Sequence, residues 1–466
     1  MLFKGEKDSS GLYRSCLGSL YSLVCIIVNR LMNSVCPLYT IYPQKENVCS
    51  LCKQKKNGPQ KKPCPPCKYC QTLPMATKRK VYITLSESAT KIVDLLPSNK
   101  GRQSLVLGLI EAYKLIDLCD GTIDIYPAQT KDLTTYHDDE FVKHLMGPRT
   151  FLDKNFNKID KAETDLTNVV IEENDLDEKY GLTFDCYPFP SLDLYVQLTA
   201  ASSINAARKI VQQVKETNDQ IIAVNWYGGR HHCHKSHAAG FCYVNDVVLS
   251  INILRKNLGS VFYLDLDLHH GDGVENAFKF SKKVATCSIH RYDIGFYPGT
   301  GSLKSSRENT YNIPTEKGLN DSSMLWIIKE IVAPLILNFG PRAIVIQCGC
   351  DGLALDTHKE WNMTIKGYRD SIDWILSHFS EIPIMLLGGG GYSHTETAKC
   401  WTYLTGLVLG VSDIDTWDIL PEHKNLDAYE KDGFRFWTDH NSGPSKMKDH
   451  NSVEYLNDIK THLLSL

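Results

Sequence analysis

From Val81 onward the chain alternates short apolar runs with amphipathic stretches, and this rhythm leaves few folds open to it. Strand-like runs fall at Val81–Thr84, Thr122–Tyr126, Ile221–Trp226, Val261–Asp267, Val284–His290, Ala343–Gln347 and Ile382–Leu387. Helical stretches lie between them, near 103–118, 195–217, 244–257, 273–281, 322–338, 366–379 and 395–409. Strands that are apolar throughout, joined by helices of this length, predict an α/β fold. Its central parallel sheet would be covered by helices on both faces, with the chemistry at the carboxyl ends of the strands. Residues 153–180 break the rhythm: acidic and without apolar periodicity, they read as a surface excursion near the rim of a site.

Charge and cysteine usage separate the start of the chain from the rest. Residues 1–80 hold 14 Lys/Arg against 3 Asp/Glu, which leaves +11 there and −14 on the remainder of a chain of net charge −3. An acidic body suits a basic, lysine-bearing partner, and direct nucleic-acid binding is not expected. Of 16 cysteines, eight fall in the first 70 residues. Cys49-x-x-Cys52 and Cys64-x-x-Cys67, followed by Cys70, have zinc-ribbon spacing, but their polar, Pro-rich surroundings offer little to pack around a metal. Residues 1–74 are therefore expected to be a disordered extension or a stretch upstream of the working protein. The main domain would run over 75–425, with 426–466 as a C-terminal tail. Cys16–Val28 resembles the apolar core of a secretory signal and is too short for a membrane span. The body cysteines (Cys119, Cys186, Cys233, Cys242, Cys287, Cys348, Cys350 and Cys400) read as isolated buried thiols, which implies a reducing compartment and a body outside the membrane.

Polar density gathers where strands end. Asp265, Asp267 and His269 alternate with leucines in Tyr263-Leu-Asp-Leu-Asp-Leu-His-His-Gly-Asp-Gly273, so on a strand they would point to one side. Two carboxylates and an imidazole at the mouth of a buried strand are costly unless neutralised, and a divalent cation would do so. Asp351, closing Gln347-Cys-Gly-Cys-Asp after another strand, is placed to complete the ligand set. Tandem histidines His231 and His232 follow Trp226-Tyr-Gly-Gly-Arg, and Gly388-Gly-Gly-Gly-Tyr392 presents one tyrosine after four glycines. Gly240-Phe-Cys-Tyr-Val-Asn-Asp246 and Gly295-Phe-Tyr-Pro-Gly-Thr-Gly301 supply aromatics suited to the walls of a pocket. His234 and His237 follow closely on the tandem pair and invite the thought of a second metal site.

These segments, in this order and spacing over about residues 80–410, resemble the class I zinc-dependent histone deacetylases, and within them the Hos-type, cohesin-associated branch of budding yeasts. The resemblance implies a single arginase/deacetylase-like domain that hydrolyses N-acetyl-lysine in histone tails or in a chromosomal protein such as a cohesin subunit. It implies metal ligation by Asp267, His269 and Asp351, with Zn(II), or Fe(II) on the same ligands. His232 would be general base and then acid, His231 its electrostatic partner, and Asp265 and Asp272 the acids behind them. Tyr392 would support the oxyanion. Substrate would meet Asp185 at the rim and Gly240, Phe241, Tyr297 and His358 along the walls, and Arg102 would flank the product exit. A potassium ion would lie at Asp265, Asp267 and Ser288.

Some positions depart from the family pattern. Arg230 stands where Trp is usual, Tyr297 where Phe is usual, and His358 where Leu or Met is usual. Thr357 and Thr395 replace two basic residues that bind inositol phosphate in corepressor-bound members, so that kind of assembly is not expected. Nucleus and cytoplasm both stay open as locations, because Lys78-Arg79-Lys80 is too short for an import signal. Three rival readings keep part of this picture: a non-catalytic acetyl-lysine-binding scaffold, a deacetylase of small acetylated amines, and an arginase-like binuclear hydrolase. No metal ligand is substituted, against the first, and the tandem histidines argue against the last.

Overall fold

The computed structural model of the chain describes residues 78–152, 170–171, 175–438, 441 and 447–466. The cysteine pairs near the start, the Cys16–Val28 stretch and the expected boundary at residue 74 lie outside the described residues, as does most of the 153–180 excursion. The strands, in chain order, are β1 (Arg79–Thr84), β2 (Gly121–Ile123), β3 (Phe151–Leu152), β4 (Val170–Ile171), β5 (Gln220–Asn225), β6 (Val261–Asp265), β7 (Val284–Arg291), β8 (Thr310–Thr315), β9 (Ala343–Gln347) and β10 (Ile384–Leu387). Eight of them make one sheet in the order β2-β1-β5-β10-β9-β6-β7-β8, every neighbouring pair parallel. β3 and β4 pair antiparallel as a separate ribbon.

Period-two burial explains why the strands are apolar throughout. Ile222, Val224, Phe262, Leu264, Ile344, Ile346, Ile384 and Leu386 enter one core. Their neighbours Ile221, Ala223, Val261, Tyr263, Ala343, Val345, Met385 and Leu387 enter another on the opposite face. Both faces are therefore dry, as the absence of polar alternation in these strands requires. The covering helices begin at local signals: Asn245 accepts from Val248 N at 2.9 Å ahead of the helix Asp246–Asn257, and Thr364 accepts from Gly367 N at 3.0 Å ahead of Ile365–His378. The helical run Asp321–Phe339 is long and apolar enough to cross a membrane, yet Met324, Ile327, Ile331 and Leu335 spend that apolar surface on the core.

Several features go beyond or depart from the sequence expectations, among them the following. Strand β8 was not expected because Thr310–Thr315 contains Asn312 and Pro314; it lies at the sheet edge, where proline is tolerated. Strand β6 ends at Asp265, two residues earlier than expected. The described part of 426–466 is packed against the domain. Tyr429 and Phe436 join the main core, and so do Leu456, Ile459 and Leu463, whose spacing makes the helix Val453–Leu464 amphipathic.

One buried ion cluster ties this segment down. Lys399 is wholly buried, with its Nζ 3.0 Å from Glu396 Oε1 and also paired with Asp432. Truncating it strands the buried Glu396 carboxylate. Lys399→Ala is expected to cost about 3–5 kcal/mol in urea unfolding, and a loss below about 1 kcal/mol would show the pair to be dispensable.

Candidate active site

Because β6 stops at Asp265, the next residues run irregularly until the helix Asp272–Phe278, and this turn carries Asp267 and His269. Asp265 does not join them; it turns toward His231. Asp351 arrives from beyond β9, the neighbour of β6, so adjacent strand ends supply the group. One ligand atom from each of Asp267, His269 and Asp351 lies within 4.8 Å of the others, and all three residues are buried; among the described residues it is the one such group. His269 Nδ1 is 3.0 Å from Asp351 Oδ2 and 3.4 Å from Asp267 Oδ1. Each carboxylate is braced by donors: Leu268 N to Asp351 Oδ1 at 2.9 Å, and Gln347 Nε2 and Gly390 N to Asp267 Oδ2, both at 2.8 Å.

The electrostatics fit a cation. Burial, then the neighbouring Asp267, pushes Asp351 up to about 6. Burial works against charge on His269, but its bonds to Asp267 and Asp351 outweigh that and hold it at about 10. Without metal, the proton on His269 offsets only part of the charge of the two carboxylates, and a divalent cation would take its place. Two carboxylates and one imidazole suit Zn(II) or Fe(II) and leave a coordination position open.

The tandem histidines face this group with opposite tendencies. His231 Nδ1 lies 2.8 Å from Asp265 Oδ2, an oxygen that also accepts from the Tyr263 hydroxyl at 2.6 Å. Burial opposes its charge, but Asp265 and Asp267 raise His231 to about 9. His232 Nδ1 lies 2.7 Å from Asp272 Oδ1, yet burial and the adjacent His231 lower it to about 4. At neutral pH this gives an imidazolium beside a neutral imidazole, their ring centres 3.9 Å apart.

Above them opens a cleft of about 230 Å³ lined by Asp185, His232, Gly240, Phe241, His269, Tyr297, His358 and Tyr392. Phe241 and Tyr392 meet edge to face at 5.8 Å, and Tyr297 stands over His232 at 5.0 Å. Asp185 Oδ2 accepts from Gly240 N at 3.0 Å, bracing the rim to the wall. His358 Nδ1 bonds Asp356 Oδ1 at 2.9 Å. Burial opposes charge on His358, but Asp356 and Asp351 hold its pKa above the ordinary histidine value. Gly240 has φ +55°, and a Cβ there would stand 2.3 Å from the His232 ring. Gly240→Ala is expected to displace that ring and lower kcat about 100-fold, read by steady-state kinetics; an unchanged kcat would show that the ring's position is not critical. Burial first, then Asp351 and Asp267, keeps the Tyr392 phenol protonated, so it can only donate toward an anion. Ser288 is the register partner of Asp265 across β6 and β7, and Arg102 lies behind the glycine loop.

Comparison with known proteins identifies the family. A family model described as the histone deacetylase domain matches residues 96–408. Histone deacetylase HOS1 of Saccharomyces cerevisiae is 33% identical, covering 79% of this chain and 95% of that protein. Histone deacetylase 8 of Xenopus tropicalis is 32% identical, covering 82% of this chain and 97% of that protein. Histone deacetylase 1 of Homo sapiens is 35% identical over 72% of this chain and 64% of its own length. The chain belongs to the histone deacetylase family. It is a lysine deacetylase of class I type, with Hos-like resemblance, on the single α/β domain described above.

Two residues of this deacetylase that the sequence did not single out brace the site. Asp356 accepts from Tyr392 N at 2.7 Å and Ser393 N at 3.1 Å through one carboxylate oxygen, and holds His358 through the other. Gln347 ends β9 and bridges Asp267 to Gly349 N, which it holds at 2.8 Å through Oε1. The local signal for Asp356 is a lone acid after the apolar Leu353–Leu355 run. Its backbone partners at Tyr392 and Ser393 lie 36 and 37 residues on, out of reach of any local pattern.

Proposed function

We propose that the deacetylase hydrolyses N-acetyl-lysine in proteins, either histone tails or a chromosomal protein such as a cohesin subunit. The observation that carries this reading is a neutral His232 beside the Asp267, His269 and Asp351 group, at the foot of a cleft walled by Phe241 and Tyr297. A divalent cation on those ligands, Zn(II) or Fe(II), would polarise the acetyl carbonyl and acidify water. His232 takes the proton of the attacking water and returns it to the lysine nitrogen as the C–N bond breaks. Asp272 holds His232 with Nε2 free for that transfer, and His231, charged against Asp265, stabilises the developing negative charge. The Tyr392 hydroxyl donates to the carbonyl oxygen as it becomes an oxyanion.

Phe241, Tyr297 and His358 flank the lysine stem, and Asp185 accepts from the substrate backbone. Arg102 borders the path of the leaving acetate. A potassium ion at Asp265, Asp267 and Ser288 would neutralise the base of the site. The partner is the acetylated protein itself, in nucleus or cytoplasm, without nucleic acid, membrane or an inositol-phosphate corepressor.

The test is turnover of an acetyl-lysine peptide by the full chain with added Zn(II) or Fe(II), releasing acetate and free lysine. Folded, metal-loaded protein with no turnover on peptide or on acetylated chromosomal proteins would sink the proposal in favour of a scaffold.

A further inference from the structure

The histidines that follow the tandem pair gather no second metal-ligand group among the described residues. His234 instead reaches the carboxylate that holds His232. Its Nε2 lies 3.2 Å from Asp272 Oδ2, while His232 Nδ1 lies 2.7 Å from Asp272 Oδ1. One carboxylate thus spans two imidazoles, one lining the cleft and the other 19% exposed at its side chain. Burial works against charge on Asp272, but the bonds from His232 and His234 outweigh it and hold the carboxyl well below its usual range. An ionised carboxylate only accepts, so both ring nitrogens that meet it carry protons.

The proton on His234 Nε2 is selected from the far side of its ring. Nδ1 lies 3.3 Å from Asn276 Nδ2, and that amide is oriented by Lys279, whose Nζ donates to Asn276 Oδ1 at 2.7 Å. With its oxygen engaged, the amide turns only a donor toward Nδ1, which leaves the neutral ring its hydrogen on Nε2. Asp272 and Asn276 share one face of the helix Asp272–Phe278, and Lys279 follows at its end. His237 lies nearly parallel to His234, ring centres 4.5 Å apart at 17°, and its carbonyl accepts from His234 N at 2.9 Å. The ring is therefore held by its stack, its tautomer by Asn276 and its aim by Asp272.

We infer that His234 is a positioning residue for the reaction, a donor that shares Asp272 with His232 and fixes the carboxylate against which the His232 ring is set. The inference rests on the role proposed above for His232. A carboxylate bonded through both oxygens has a set rotation. Bonded through one, Asp272 can swing toward solvent, to which its side chain is 15% exposed, and take the His232 ring with it. Proton transfer needs His232 Nε2 in line with water and then with the lysine nitrogen, and an error of about 1 Å can cost about 100-fold. His234 lies outside the lining of the cleft, so its loss should leave substrate binding alone.

The experiment uses the full chain, zinc-loaded, with His234→Leu and His234→Gln. Gln places an amide N–H where the Nε2–H stood; Leu fills the space and donates nothing. His234→Leu is expected to lower kcat on an acetyl-lysine peptide about tenfold with KM changed less than about twofold, and His234→Gln to restore most of that loss. Equal losses in the two folded variants, a raised KM in place of a lowered kcat, or a Leu variant within about twofold of wild type each overturns the role. A second readout needs no turnover: histidine-selective nitrogen NMR at mildly alkaline pH. Wild type should show His234 protonated on Nε2, and a low-field His232 Nδ1 proton that persists in the Gln variant and shifts or disappears in the Leu variant. If the Leu variant does not fold, wild type alone decides, and a bare His234 Nε2 overturns the inference. An inert wild type with the expected spectrum would speak against the proposed function and leave the arrangement of His234, Asp272 and His232 standing.

Discussion

Replacing Tyr392 by Phe is expected to lower kcat by about 100- to 1000-fold, the usual consequence of deleting one oxyanion donor, while KM changes little. The ring stays, so its edge contact with Phe241 and the bonds from Asp356 to the Tyr392 and Ser393 backbone are retained. Only the hydroxyl is lost, and burial beside Asp351 and Asp267 favours its protonated form. The variant should melt close to wild type and bind metal. A kcat loss below tenfold, in protein that melts normally, would remove Tyr392 from the mechanism.

Metal removal is the second large effect. Exhaustive chelation is expected to take turnover below detection, and Zn(II) to restore it; Asp351→Asn should resist restoration at equal metal concentration. The pH dependence has a definite sign. His269, held at about 10 in the metal-free protein, is protonated at pH 8 and must lose that proton to become a ligand. Binding at pH 8 should therefore release about one proton, and affinity should weaken as pH falls. Below about 6 the Asp351 carboxyl adds a second proton to be displaced and steepens the fall. Isothermal titration in two buffers of different ionisation enthalpy counts the protons. Finding none would remove His269 from the ligand set.

The main architecture was legible because a parallel sheet covered on both faces needs strands with no polar side, and runs such as Ala343–Gln347 show this without help. Strand β8 was hidden by Asn312 and Pro314, acceptable only because nothing pairs beyond that edge in the sheet. At the site, Asp267, His269 and Asp351 could be grouped because acids closing apolar runs are conspicuous. Residue roles came from resemblance to a family. The reach of Asp265 toward His231 came from the family resemblance alone, since an unbroken strand to Asp267 would have pointed both acids to one side. Asp356 and Gln347 carried no signal of their own, since their importance arises where loops from distant strands converge. The packing within 426–466 carried no local signal for a similar reason: Phe436 looks like a stray aromatic until Tyr403 and Trp417 are placed beside it.

The sheet order also sets a timetable for synthesis. β10, last in the chain, lies between β5 and β9, and Ile384 pairs with Ile222 across 162 positions of sequence. Until β10 has emerged, β5 presents an open apolar edge on the nascent chain. At about 5–20 residues per second, that interval lasts roughly 8–32 s. The halves of the sheet can form separately but cannot join, and each exposes a strand suited to pairing with a neighbour on the same message. Shielding by a chaperone during that window, rather than the stability of the finished domain, would then set how much deacetylase a cell recovers.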